Sequence, residues 1–436
     1  MHRRTFIPAL AALALAAPLM ASPGVAAPAR AVVEHSAPGA AFALEPLGAY
    51  ETGLFDEAAA EIVAHYPAAQ RLLVVSAAAA TVEVLDVSDP GEPSKLFDLA
   101  TAGVGDIPEG AVANSVDVRG DGLAVVAVEA PDKTDAGWVA LFDISGGEGV
   151  PLGSVQVGSQ PDMVTLTADG RRAIVANEGE PAEDYSVDPE GSISVIDLPR
   201  RAEAPVQSAV RTAGFHRFEG DRLPGGVRVY GGREDAGTGT PDFPVSEVLE
   251  PEYVVVSGRF AYVTLQEANA LAKVDLGRAR VVRVTSLGTI DRSAVPFDTS
   301  DSDNTVALRR WPVKSFRLPD SLASFRVKGE TYLITADEGD TRDWAGYSEE
   351  VRVSDLGQDG LEPVCDSVAE RAGLTMEELL AEENLGRLQV TTAQGLKADG
   401  SCYRTLRAFG GRGVTVLDTR GRVVGGTGAM FERVTA

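Results

Sequence analysis

The chain has 436 residues, 44% of them hydrophobic, and sets 64 acidic side chains against 39 basic ones for a formal charge of −25. A charge of that sign repels nucleic-acid phosphates and anionic bilayers and attracts cations, so nucleic acid is excluded as a partner class. The length and hydrophobic content allow two ordinary domains or one large all-β domain.

Arg3 and Arg4 precede an apolar run from Ile7 to Met20, and small residues follow up to Ala29-Arg30-Ala31. Residues 1–31 therefore read as an export signal, with residues 32–436 as the mature chain. The string Arg3-Arg4-Thr5-Phe6-Ile7 fits either a twin-arginine signal or the positive start of an ordinary secretory signal. The expected location is periplasmic, secreted or cell-surface. No later segment offers about 18 uninterrupted apolar residues, so no membrane span is expected. Both cysteines, Cys365 and Cys402, are bound for an oxidising compartment. There they form one disulfide closing a polar insertion, or remain two buried thiols.

The body of the chain repeats one unit. Four strands end on glutamate, at Glu129, Glu178, Glu267 and Glu338, and each is preceded by a strand starting at Asn114, Asp162, Glu252 or Asp320. The turns between them fall at Asp121-Gly122, Asp169-Gly170, Ser257-Gly258 and Lys328-Gly329, where glycine supplies positive φ. A third strand ending in aspartate follows each hairpin, at Asp143, Asp197, Asp275 and Asp355, with weaker versions ending at Asp86 and Asp418. Six units can be counted in this way. A fourth, outer strand is visible at Gly153-Ser-Val-Gln-Val157. Small antiparallel sheets repeated in sequence predict an all-β fold, a β-propeller; a β-sandwich would not repeat one sequence unit. Insertions interrupt the units near 200–248, 289–317 and 357–404, the last carrying one or two short helices within Ser367–Glu383.

In a propeller blade the first strand leaves one face of the disc and the second returns to it. Asn114, Asp162, Glu252 and Asp320 are thus expected beside Glu129, Glu178, Glu267 and Glu338, at one rim of the central channel. Like charges gathered this closely must take up protons, pair with basic side chains or share cations. Asp162, Glu178, Glu252, Glu267, Asp320, Glu338 and Glu129 are accordingly candidate metal ligands, and hard oxygen donors point to Ca²⁺. The four histidines, His2, His35, His65 and His216, fall outside these motifs, against a histidine-rich zinc site. The competing expectation is a polar channel that only holds water.

Two loops on the same rim, Glu178-Gly-Glu180 with Asp184-Tyr185 and Glu338-Gly-Asp340 with Asp343-Trp344, repeat an acid-Gly-acid and acid-aromatic pattern. Tyr185 and Trp344 line a ligand cleft or cap the blade core; Arg342 pairs with a bound phosphate or neutralises its acidic neighbours. Asp298-Thr-Ser-Asp301-Ser-Asp303-Asn304 has alternating oxygen donors but lacks the glycine and distal glutamate of an EF-hand, and reads as a solvated surface loop.

Pro161-Asp-Met-Val-Thr-Leu-Thr-Ala-Asp-Gly170, Val175-Ala-Asn-Glu-Gly-Glu-Pro181, Asp188-Pro-Glu-Gly-Ser192, Leu249-Glu-Pro-Glu-Tyr253, Tyr262-Val-Thr-Leu-Gln-Glu267 and Ala336-Asp-Glu-Gly-Asp340 together resemble the choice-of-anchor I family of exported propeller proteins, over residues 45–436. The resemblance implies a seven-bladed propeller of the YVTN and WD40-like kind, attached through anchors that vary between members. Some relatives carry an alkaline phosphatase or phytase-like label. Family members continue past the Gly428-Ala-Met-Phe-Glu-Arg-Val434 segment through another blade, whereas this sequence stops at Ala436, so a last blade is missing or the propeller closes differently. The expected function is an acidic, calcium-binding, extracytoplasmic module for a small-molecule or surface ligand. The alternative is a metal-dependent phosphoesterase using the carboxylate rim; no Gly-x-Ser-x-Gly or His-Glu-x-x-His motif supplies another catalytic centre.

Overall fold

A computed structural model describes residues 46–53, 60–229 and 245–435; the segment expected to be an export signal and part of the first insertion lie outside them. Four sheets follow one another in chain order, each a four-stranded antiparallel meander. The first holds β1 (Val63–Tyr66), β2 (Arg71–Ser76), β3 (Thr81–Asp86) and β4 (Ser94–Ala100). The second holds β5 (Val112–Val118), β6 (Leu123–Glu129), β7 (Ala136–Asp143) and β8 (Val150–Ser159). The third holds β9 (Pro161–Leu166), β10 (Arg172–Asn177), β11 (Ser192–Asp197) and β12 (Val210–Ala213). After the short helix α1 (Val245–Val248), the fourth holds β13 (Pro251–Ser257), β14 (Phe260–Leu265), β15 (Ala270–Asp275) and β16 (Arg280–Ser286).

The hairpin turns form where Asp-Gly and its equivalents predict them. Gly122, Gly170, Gly258 and Gly329 all have positive φ, between 63° and 90°. Period-two alternation then sends the two faces of each sheet to two different cores. In β6, Ala124, Val126 and Val128 pack toward the first sheet, while Leu123, Val125 and Ala127 pack toward the third. All six are fully buried, each valine or leucine contributing about 1.5–3 kcal/mol relative to exposure. The next core joins Ile174, Ala176, Ile193 and Val195 of the third sheet to Val254, Ala261, Val263 and Leu265 of the fourth. A sheet that is apolar on both faces and covered on both by its chain neighbours is a propeller blade, and the first strands β1, β5, β9 and β13 line up against one another along the axis.

The fifth blade departs from the sequence pattern. Its inner hairpin is β19 (Pro319–Val327) and β20 (Glu330–Asp337), and the chain next forms a small hairpin, β21 (Asp343–Trp344) with β22 (Tyr347–Ser348). It continues through β23 (Glu350–Arg352), α2 (Asp366–Ala372), α3 (Met376–Leu380), β24 (Gln389–Thr391) and β25 (Leu406–Ala408). Only then does the third strand, β26 (Gly413–Asp418), pair with β20, followed by β27 (Val423–Gly426) and α4 (Met430–Thr435). The Val351–Asp355 segment is therefore not the third strand of this unit, and Val414–Asp418 is not a sixth. The pairing of β26 sets Leu333 opposite Leu417 and buries both completely, which the more polar Glu350–Arg352 could not do.

The excursion builds a mixed five-stranded sheet from β17 (Thr289–Asp291), β18 (Val313–Phe316) and β25–β24–β23, with β18 and β25 parallel. Its core contains Phe297, Trp311, Val368, Leu379 and Leu406. Within that core Cys365 and Cys402 are joined by a disulfide, their Cα atoms 5.1 Å apart. No described helix is long and apolar enough to cross a membrane.

Candidate functional site

Each inner hairpin carries an irregularity at the same end. The β5 register steps from Ala113 to Ser115, leaving Asn114 unpaired, and the β9 register steps from Pro161 to Met163, leaving Asp162 unpaired. In β13 Glu252 and Tyr253 lie in the step between Pro251 and Val254, and in β19 Asp320 and Ser321 lie between Pro319 and Leu322. Proline brings no N–H to the ladder, so three of these bulges start where a ladder bond is already lost. A bulge also re-aims the extra side chain. The repeated Pro-acid dipeptide is thus a device for turning one carboxylate per blade out of the sheet. In the fourth blade the Thr264 hydroxyl accepts from the displaced Tyr253 N–H at 2.9 Å, closing the gap.

The consequence is sharpest between the third and fourth blades. Glu178, just past β10, Glu252, in the β13 bulge, and Glu267, just past β14, place one carboxylate oxygen each within 4.8 Å of the other two. All three are buried, with Glu252 and Glu267 only 8% and 7% exposed. Neither Glu252 Oε2 nor Glu267 Oε2 has a hydrogen-bond partner among the described residues. Glu178 accepts from Gln160 Nε2 at 2.9 Å. Burial and mutual repulsion push the carboxyls of Glu178 and Glu252 well above the usual range, and raise Glu267, chiefly by burial, to about 7.

Around this triad the field stays negative. Asp162 rises to about 7 through burial and the carboxylates of Asp320, Glu180 and Glu129. Asp320 and Asp340 are also raised, first by burial and then by Glu338 and Glu180 respectively among their acidic neighbours. Glu338 accepts from Gln266 Nε2 at 3.1 Å. Glu129 is placed differently: Asn114 Nδ2 donates to its Oε2 at 3.1 Å, so this end of the rim satisfies itself.

The basic groups near the rim are already engaged. Arg342, 2% exposed, pairs with Glu250 at 2.7 Å and donates to Tyr185 Oη at 3.1 Å and to the Val248 carbonyl at 3.0 Å. Arg228, also buried, pairs with Glu349 at 2.6 Å and donates to the Glu267 carbonyl at 2.8 Å, fixing the backbone from which that carboxylate projects. Lys133 bridges Glu180 at 3.0 Å and sits 3.8 Å over the Trp344 ring. The two acid-aromatic loops meet, with Gly346 N–H donating to the Glu183 carbonyl and Tyr185 edge-on to Tyr347 at 6.4 Å. Arg342 and Tyr185 brace one another inside the protein, while Trp344 receives a cation on its face.

Gln160, Glu250 and Lys133 were not singled out by the repeat. A signal for the first two exists: Gln160-Pro161-Asp162 and Glu250-Pro251-Glu252 share a polar-Pro-acid pattern that puts a second polar group beside each bulge. In the Asp298–Asn304 segment, Asp301 pairs with Arg387 at 2.6 Å and Asp303 accepts from Thr305, the behaviour of a self-satisfied surface loop.

The family model of the choice-of-anchor I domain matches residues 61–436. No curated protein matches the chain. Among solved structures, a functionally unknown protein of Desulfotomaculum acetoxidans is similar at 9% identity, with 90% of this chain and 92% of that one covered and a TM-score of 0.40. A protein of unknown function from Bacteroides caccae is similar at 11% identity, covering 84% and 80%, with a TM-score of 0.35. The β-propeller domain of Cps50 (Swd1) from Myceliophteria thermophila is similar at 10% identity, covering 62% and 63%, with a TM-score of 0.33.

Proposed function

The chain belongs to the choice-of-anchor I family, and from that premise we propose that it is an exported propeller module that holds a divalent cation, Ca²⁺, on Glu178, Glu252 and Glu267. The observation that carries this reading is that, of three carboxylates with oxygens within 4.8 Å of one another, two keep a buried oxygen without a partner, Glu252 Oε2 and Glu267 Oε2. Leaving such atoms without a donor costs about 1–3 kcal/mol each, more when charged, and a cation recovers that loss. The donor set is all oxygen, and neither described histidine, His65 nor His216, belongs to it. That composition suits Ca²⁺ over zinc. Gln160 would orient Glu178, and Arg228 would hold the Glu267 backbone in place.

The geometry favours binding over hydrolysis. Arg342, the side chain singled out to meet a phosphate, is enclosed by Glu250, Tyr185 and Val248, so hydrolysis at this rim would have to rest on bound cations alone. The test is metal analysis of the purified mature protein, followed by calcium titration and by phosphomonoester and phosphodiester assays with calcium and with chelator. We expect calcium to bind and to raise the melting temperature, without turnover. Failure of calcium to bind or stabilise would remove the cation reading, and calcium-dependent turnover would replace the binding module with the enzyme.

A further inference from the structure

The inserted sheet carries a cleft whose charge opposes that of the whole molecule. It has a volume of about 560 Å³ and is lined by Arg310, Lys314, Arg371 and Arg404, with Asp291 as the single acid. All four basic side chains are exposed, and none forms an ion pair with another described residue. In a chain with 64 acidic side chains against 39 basic ones, four cations around one cleft without carboxylate partners are unexpected. Asp291 offsets only part of this charge: it stands across the strand pair from Lys314, its carboxyl held below the usual range by the Ser293 hydroxyl and N–H that donate to Oδ1 and then by Lys314, and the three arginines are left without a facing carboxylate in the cleft.

The cleft is also built, because separate stretches of chain are fastened to make it. The Cys365–Cys402 disulfide ties the start of α2, which carries Arg371, to the segment that carries Arg404. Arg371 Nη2 donates to the Arg404 carbonyl at 2.9 Å, setting the two arginines side by side. Parallel pairing of β18 with β25, Val313 against Leu406 and Lys314 against Arg407, brings Arg310 and Lys314 to the same place. Trp311, 2% exposed and packed in the core, anchors the segment between them, just before β18.

We propose that this cleft binds an anion bearing two or more phosphate or sulfate groups. Guanidinium groups match such oxyanions with paired N–H donors, and an ammonium adds a point charge. The volume lies within the range of small-ligand sites, and the spread of cations over separate segments suits a multivalent anion better than a single one.

The experiment titrates inorganic pyrophosphate and, separately, a disulfated disaccharide into full-length mature protein at fixed chloride, after stripping on a chelating resin. Stripping keeps the result independent of the cation site. We expect at least one probe to bind, and the tighter of the two identifies phosphate or sulfate as the source. The R310Q/R404Q variant should weaken that binding at least tenfold, and K314Q alone should weaken it less. The R420Q/R422Q variant, altered in the β26–β27 turn, should bind as the parent does. These are exposed positions, and an unchanged melting temperature shows that each variant folds. Absence of binding by both probes would overturn the proposal. So would equal loss in the R420Q/R422Q variant, or undiminished binding in R310Q/R404Q.

Discussion

The second and fourth blades use the same bulged hairpin and reach different electrostatic outcomes. In the second blade the bulge presents an amide, Asn114, which donates to Glu129 and so opposes the rise that burial gives its carboxyl. In the fourth the bulge presents Glu252, which has no proton to donate when ionised, and it faces Glu267 and Glu178. One residue type at one repeated position separates a self-contained pair from a cluster that needs an outside cation or protons. Repetition fixed where the groups point; the side chain at the bulge decided what they can do.

The largest effect that would sharpen this contrast is expected from pH, which acts on the whole cluster at once. The carboxyls of Asp162 and Glu267 are raised in the folded protein to about 7, well above their ordinary values near 4. A raised folded-state value stabilises the fold below pH 4 and loses that contribution as pH climbs through 7. The melting temperature of chelator-treated protein should therefore fall between pH 4 and pH 8, and calcium should flatten that decline. A melting temperature constant over this window in the metal-free protein would contradict a shared burial of these charges.

Next in size is E252Q, which converts the fourth blade toward the second. Calcium affinity should drop at least tenfold by titration, while the metal-free protein at pH 8 gains about 2 kcal/mol because a buried like charge is removed. Gain of affinity, or loss of metal-free stability, would break the comparison. Q160L should cost about 2 kcal/mol by denaturant unfolding, since Gln160 Nε2 donates to both Glu178 and Glu180 and both would lose that donor. The smallest effect is N114D, which turns the second blade toward the fourth. Glu129 is half-buried, and losing its donor beside a new carboxylate should destabilise the protein at pH 7 by about 1 kcal/mol.

The blades themselves were legible because a hairpin announces itself locally: alternating apolar residues and a glycine at the turn need no knowledge of the rest of the chain. The fifth blade was not legible in the same way. Val351–Asp355 looks like a third strand, yet the partner of β20 comes only after the long excursion, at Gly413–Asp418. Local pattern cannot rank two candidate strands whose difference is the apolar surface each would bury against Leu333.

The same division runs through the sites. The sequence by itself determined that a glutamate lies at or just past the end of each inner hairpin, that a carboxylate or amide lies near its start, and that the insertions hold two cysteines. Only the tertiary structure decided that Glu178, Glu252 and Glu267 converge from adjacent blades, that Arg342 is enclosed by Glu250 and Tyr185, and that Arg310, Lys314, Arg371 and Arg404 share one cleft. The reason is physical: strand periodicity depends on neighbours along the chain, whereas burial, field and pairing depend on neighbours in space. Gln160 and Glu250 belong to the site through that second kind of neighbour.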